Sequence, residues 1–160
     1  MRIEPLTKDH DSSNFDCGED SLNKYLKTFA LQARSMGLSR TFVAIEDNSN
    51  KILGYYTRLP SSVLGESIPE ARSRNPVPVM LLGKLAVTNG LQRGGVGKRL
   101  LKHFLESVIA HAENEACFAV TVDALDQRAK EYYAQFGFKE FQDTSLSLYL
   151  PMKIVRKLTL

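Results

Sequence analysis

Leu82-Gly83-Lys84-Leu85-Ala86-Val87, then Gln92-Arg93-Gly94-Gly95-Val96-Gly97-Lys98-Arg99-Leu100-Leu101, is an apolar segment running into a glycine-rich turn and a second apolar segment. Residues 79–87 form a near-continuous apolar run, the pattern of a strand buried on both faces at the centre of a sheet. After the glycines, Val96, Leu100, Leu101, Phe104, Leu105, Val108, Ile109 and Ala112 recur at helical spacing and mark one apolar stripe. Residues 117–124 read as the next strand. A strand–helix–strand unit of this length implies a parallel pair joined by a right-handed crossover. A glycine-rich turn running into a helix lets backbone N–H groups converge at the positive end of the helix dipole, a setting that holds a pyrophosphate. The other reading of the same glycines is a plain tight turn. The spacing is neither that of the phosphate loop, which needs Gly-Lys-Ser/Thr, nor the dinucleotide fingerprint, so two classes of nucleotide enzyme are excluded.

On the N-terminal side, residues 2–6 read as a first strand. A turn at Asn14-Phe15-Asp16-Cys17-Gly18 follows, and then a helix carrying Leu22, Tyr25, Leu26, Phe29, Ala30 and Ala33 at helical spacing, with Glu19 and Asp20 in its first turn. Residues 41–46 and 52–59 read as strands around Asp47-Asn48-Ser49-Asn50, a hairpin turn by composition. Pro60, Pro69, Pro76, Pro78 and Gly65 make residues 60–78 a long, mostly irregular connection. On the C-terminal side, residues 128–136 form a short helix ended by Gly137, and residues 138–141 and 145–150 supply the last strands. The sum is an α/β fold with a mixed, mostly antiparallel sheet and one parallel pair at its middle.

The chain has 160 residues, 43% of them hydrophobic and 24% charged. That suits one compact domain over residues 1–160 and excludes disordered and fibrous classes. No apolar stretch approaches the length of a membrane span, and Met1-Arg2-Ile3-Glu4 has no signal-peptide core behind it, so a cytoplasmic protein without membrane contact is expected. Cys17 and Cys117 have no metal-ligand spacing and read as reduced thiols; no metal is expected. Net charge is +3, unevenly distributed: residues 51–110 hold nine Lys/Arg against three Asp/Glu, whereas the flanking thirds are slightly acidic. A basic middle third suits a polyanion, a nucleotide phosphate or a nucleic acid; a solvated basic face is the alternative.

Gln92, Gly95 and Gly97 have the spacing Gln/Arg-x-x-Gly-x-Gly/Ala, which resembles the acetyl-CoA loop of the GNAT superfamily of N-acetyltransferases. Asp123-Ala124-Leu125-Asp126 and Ala129-Lys130-Glu131-Tyr132-Tyr133-Ala134-Gln135-Phe136-Gly137-Phe138 look like the second signature of that superfamily, in the expected order. One branch is singled out: Phe15-x-Cys17 with Leu22 and Tyr25-Leu26-Lys27, Gly54-Tyr55-Tyr56, residues 82–87 and the closing Leu148-x-Leu150-Pro151-Met152 resemble GNAT toxins of toxin–antitoxin pairs. The resemblance implies the GNAT fold, with a splayed parallel strand pair and helices on both sheet faces. It also implies acetyl-CoA as co-substrate and acetylation of the α-amine on charged tRNA. The implied partners are a ribbon–helix–helix antitoxin, operator DNA through the antitoxin complex alone, and a second copy of the chain. Two positions depart from the branch: Lys84 stands where arginine is usual, and Arg93-Gly94 reverses the usual Gly-Arg order.

By the resemblance, the backbone of Leu85, Ala86 and Val87 pairs with the pantetheine arm and steadies the developing oxyanion. Gln92, Arg93, Gly94, Gly95, Val96, Gly97 and Lys98 hold the pyrophosphate. Tyr133 falls where many GNAT enzymes place the tyrosine that protonates the departing thiolate, although its face with Ala129, Tyr132 and Phe136 equally describes core packing. Asp126 either touches the co-substrate or caps the following helix, and Tyr132 reads as packing. Arg72, Arg74 and Lys84 are candidates for the tRNA acceptor end. No general base stands out among His10, His103 and His111, which favours an acceptor that needs none. Lysine amines titrate at about 10.4 and α-amines at about 7.7–8.0; the ester of aminoacyl-tRNA lowers the latter further. A GNAT enzyme for small amines or protein N-termini is the alternative, and a corepressor module with vestigial catalysis is a third reading.

Overall fold

The computed structural model describes residues 1–142 and 144–160. Its strands, β1 (Arg2–Pro5), β2 (Arg40–Ile45), β3 (Ile52–Val63), β4 (Val77–Val87), β5 (Ala119–Asp123), β6 (Lys139–Glu140) and β7 (Ser147–Pro151), are ordered β1-β2-β3-β4-β5-β7-β6, and the chain divides into two compact units, with residues of β3 and β4 in each.

The first unit comprises Met1–Leu59 and Gly83–Phe104. It contains β1 (Arg2–Pro5), α1 (Asp20–Thr28), α2 (Ala30–Ser35), β2 (Arg40–Ile45), the first part of β3, the last part of β4 and the start of α3 (Val96–His111). β1 and β2 pair antiparallel with Arg2 opposite Ile45, and β2 and β3 with Val43 opposite Tyr55. Alternation along these strands sends Val43, Ile45 and Tyr55 into one core with Phe15, Leu26 and Ala30. Tyr56 stacks on Phe42 (5.1 Å between ring centres) and meets Phe104 of α3 edge-on. The periodicity from Leu22 to Ala33 predicts one helix; two are present. The Thr28 hydroxyl donates to the Lys24 carbonyl at 2.7 Å, a side-chain bond that competes with the helical ladder, and Phe29 leaves helical geometry at φ −130°. The apolar spacing survives the break, which is why it reads as continuous.

The second unit comprises Pro60–Leu82 and Leu105–Leu160. It adds β5 (Ala119–Asp123), α4 (Gln127–Ala134), β6 (Lys139–Glu140), β7 (Ser147–Pro151) and α5 (Met152–Val155). β4 and β5 form the parallel pair the sequence predicts, from Val79 opposite Ala119 to Leu82 opposite Val122. β5 and β6 each pair antiparallel with β7. Ile68, Val77, Val79, Ala119, Phe141 and Tyr149 form the core. The connection over residues 60–78 is more ordered than its prolines suggest. β3 continues through Pro60, which is exposed and needs no ladder partner there. Two short 3₁₀ turns, Gly65–Ser67 and Pro69–Ala71, then seat the fully buried Ile68. A side chain on Gly65 would run into the carbonyl oxygens of Ser73 and Asn75, so glycine lets two passes of this segment close on each other.

Candidate active site

In the first unit, β4 ends at Val87 and α3 begins at Val96. The first i→i+4 bond of the helix runs from the Arg99 N–H to the Gly95 carbonyl at 3.0 Å, so the N–H groups of Val96, Gly97 and Lys98 precede the ladder at the positive end of the dipole. Arg93, Gly94 and Gly95 are exposed, and a side chain on Gly95 would meet nothing within 4 Å. Gly95 has φ +89° and Arg93 φ +71°. The reversed Arg93-Gly94 order therefore puts arginine in the left-handed region that glycine enters freely.

The turn that presents this loop is tied down by the segment over residues 14–18. Gln92 Nε2 donates to the carbonyls of Cys17 and Val87, both at 3.0 Å, so its amide hydrogens serve the turn itself. The Asn89 N–H donates to the Asp16 carbonyl at 2.7 Å. Asp16 Oδ1 accepts from the Gly18 N–H and from Asn23 Nδ2, both at 2.9 Å, and Asn23 Oδ1 accepts from the Cys17 N–H at 2.9 Å. Those bonds, the Gly18 amide first, hold the Asp16 carboxyl below the usual carboxylate range. The bracing of this turn by Asp16, Asn23 and Asn89 is an arrangement that the sequence reading missed. The available signal was an Asx turn at Asp16-x-Gly18, but nothing in the sequence says which distant segment it braces.

In the second unit, Asp126 is the N-cap of α4: its Oδ1 accepts from the Ala129 N–H at 2.8 Å. Of the two readings of Asp126, the cap is thus visible. Tyr133 lies on the buried face of α4, 6% exposed, packed edge-on against Tyr132 (5.4 Å) and Phe138 (5.7 Å). Burial pushes its phenol well above the ordinary value of about 10, so the proton stays on the oxygen throughout the neutral range. The Tyr132 ring packs as predicted, but its hydroxyl is buried with no hydrogen-bond partner among the described residues. Arg72 and Arg74 are both exposed on the segment between the 3₁₀ turns and β4, with Arg72 at φ +49°.

The remaining candidates have local partners. Lys84 is half-buried in the first unit, its ammonium 4.2 Å from the centre of the Tyr25 ring on α1. Such a cation–π contact serves packing as well as charge. His10 Nδ1 accepts from the Thr7 N–H at 3.0 Å, which puts the ring proton on Nε2, 2.7 Å from Glu4 Oε1. His103 Nδ1 is 2.8 Å from the Tyr56 hydroxyl. Both histidines are engaged structurally. Burial raises the thiols of Cys17 and Cys117, which are free, so neither is an activated nucleophile.

A family model described as an acetyltransferase (GNAT) domain matches residues 37–140. The chain belongs to the GNAT acetyltransferase family. A "tRNA-acetylating toxin" of Mycobacterium tuberculosis is 35% identical over 92% of this chain and 90% of its own length. Among solved structures, AtaT complexed with acetyl-methionyl-tRNAfMet superposes with TM-score 0.91 at 27% identity, over 98% of this chain and 97% of AtaT. A tyrosine-to-phenylalanine variant of AtaT, bound to the C-terminus of the antitoxin AtaR and acetyl-CoA, gives TM-score 0.85 at 28% identity, covering 98% and 96%. GNAT membership makes the chain an N-acetyltransferase with acetyl-CoA as co-substrate, and the residues present fit that group: a glycine turn leads into a helix N-terminus whose first N–H groups precede the helical ladder, a match for a pyrophosphate.

Proposed function

We propose that this GNAT enzyme acetylates the α-amino group of aminoacyl-tRNA and thereby blocks translation, until a ribbon–helix–helix antitoxin neutralises it. The observation that carries the reading is likeness along nearly the whole chain to a tRNA-acetylating toxin and to AtaT, solved on an acetylated aminoacyl-tRNA. Acetyl-CoA supplies an activated acyl group and a thiolate that leaves. The N–H groups of Val96, Gly97 and Lys98, with the Arg93 and Lys98 side chains, bind its pyrophosphate. The backbone of Leu85, Ala86 and Val87 orients the pantetheine arm. Gln92 acts through the turn it holds rather than by direct contact, and Asp126 by fixing the start of α4.

Tyr133 holds the proton destined for the departing sulfur. Burial disfavours phenolate, and a thiolate released into the same apolar surroundings is likewise raised above its value in water, so the transfer stays feasible. The engaged state of His10 and His103 agrees with an acceptor amine that is already neutral at cellular pH and gives up its proton through water. Arg72 and Arg74 guide the tRNA acceptor end. Lys84 shapes the surface beside α1. The enzyme acts in the cytoplasm as a homodimer and reaches operator DNA through its antitoxin alone.

The test is acetyl transfer from labelled acetyl-CoA to total charged tRNA, with deacylated tRNA and Tyr133→Phe as controls. Label should appear on charged tRNA, be released by mild alkali as an N-acetyl amino acid, and fall by about 10²-fold or more in the variant, the range of a lost general acid. Acetyl-CoA binding without label on tRNA would overturn the reading.

A further inference from the structure

The segment that carries Arg72 and Arg74 is anchored by a carboxylate with no part in the chemistry. Glu70, in the 3₁₀ turn Pro69–Ala71, accepts a hydrogen bond from the Tyr149 hydroxyl at 3.0 Å. The same oxygen, Oε1, lies 3.8 Å from the Lys139 ammonium. Tyr149 is 3% exposed and sits on β7 at the centre of the core of its unit, opposite Lys139 of β6 and against the Phe141 ring (5.0 Å). Two residues before Glu70, Ile68 is fully buried in that core. Two residues after it, Arg72 is held at φ +49°, a conformation that costs a non-glycine residue about 1 kcal/mol or more. A backbone held off its preferred geometry persists only where its surroundings over-determine it. Here the closure at Gly65, the Ile68 plug and the Glu70 anchor do so.

We propose that Glu70, through Tyr149, is a positioning residue that fixes the Arg72–Arg74 segment in the pose that takes the phosphates of the tRNA acceptor arm. The inference rests on the tRNA reading above. A preformed pair of guanidiniums loses less freedom on binding phosphate than one on an unanchored loop. The buried Tyr149 phenol, pushed up to about 12 by burial and by Glu70, remains a donor across the physiological range.

The experiment measures steady-state kinetics on charged tRNA and direct tRNA binding for the full chain and for Glu70→Ala, Glu70→Gln, Tyr149→Phe and Glu70→Ala/Tyr149→Phe. It repeats Glu70→Ala in an Arg72→Ala/Arg74→Ala background. Glu70→Ala and Tyr149→Phe should each raise KM for charged tRNA and the tRNA Kd about fivefold (about 1 kcal/mol), with kcat and the KM for acetyl-CoA within about twofold, because the bond that holds the arginine segment in place is lost. The double variant should be no worse than either single one. Glu70→Gln, which still accepts from Tyr149, should retain most of the affinity. In the double-arginine background Glu70→Ala should have no further effect, an outcome that general loosening of the fold would not produce. If the native enzyme acetylates tRNA but Glu70→Ala leaves KM and Kd unchanged, or lowers kcat and acetyl-CoA affinity equally, the positioning role is wrong and the tRNA reading stands. If the native chain neither binds nor acetylates charged tRNA, both fall.

Discussion

Arg93 occupies a backbone position better suited to glycine, and its cost is measurable. At φ +71° an arginine is disfavoured by about 1–2 kcal/mol relative to glycine. Arg93→Gly should therefore raise the melting temperature by about 2–8 °C, and it should weaken acetyl-CoA binding if the guanidinium reaches the phosphates. Differential scanning calorimetry with and without acetyl-CoA checks both. At Tyr133 the sign of the pKa shift fixes a pH profile. Burial raises the phenol, so the donor is lost only well above pH 10 and the acyl-transfer rate should rise as the acceptor amine deprotonates, then stay level to about pH 10. A falling limb below pH 10 that vanishes in Tyr133→Phe would contradict this. The inward face of Tyr133 is legible in the i, i+3, i+4, i+7 spacing of Ala129, Tyr132, Tyr133 and Phe136, and Tyr133 is indeed buried. Its proposed role as an acid comes from the family resemblance, because periodicity alone does not separate a core aromatic from a catalytic one. The strain at Arg93 is half legible: its order with Gly94 is in the sequence, its φ is not.

At the scale of elements, the strands and helices that carry an uninterrupted apolar period are readable: β2, β4, α3 and β5 stand within a residue or two of their expected ends. The division into α1 and α2 is not, because the break at Phe29 (φ −130°), beside the Thr28 hydroxyl bonded to the Lys24 carbonyl, leaves the apolar period unaltered. Nor is the order in residues 60–78: prolines signal irregularity, but Ile68 and Gly65 set the packing through partners far away in sequence. Asp126 separates two roles at this scale. Asp126→Ala should lower stability by about 1 kcal/mol, the usual cost of an N-cap, and leave acetyl-CoA affinity unchanged when measured by calorimetric titration. A tenfold loss of acetyl-CoA affinity would show that the carboxylate touches the co-substrate as well.

At the scale of the whole molecule, the positive excess is confined to residues 51–110, which hold Arg72, Arg74, Lys84, Arg93 and Lys98. Charge counting finds this region but does not tell an exposed arginine from the Lys84 ammonium seated on Tyr25. His10 and His103 are tied into structural bonds, as expected of an enzyme whose proposed acceptor amine needs no base. The most direct measurement offers three acceptors together at equal concentration and pH 7: charged tRNA, a lysine peptide and a small primary amine, with limiting labelled acetyl-CoA. The label should go almost entirely to the α-amine of the charged tRNA. Label on the lysine peptide or the small amine in preference to tRNA would rule out aminoacyl-tRNA as the preferred acceptor.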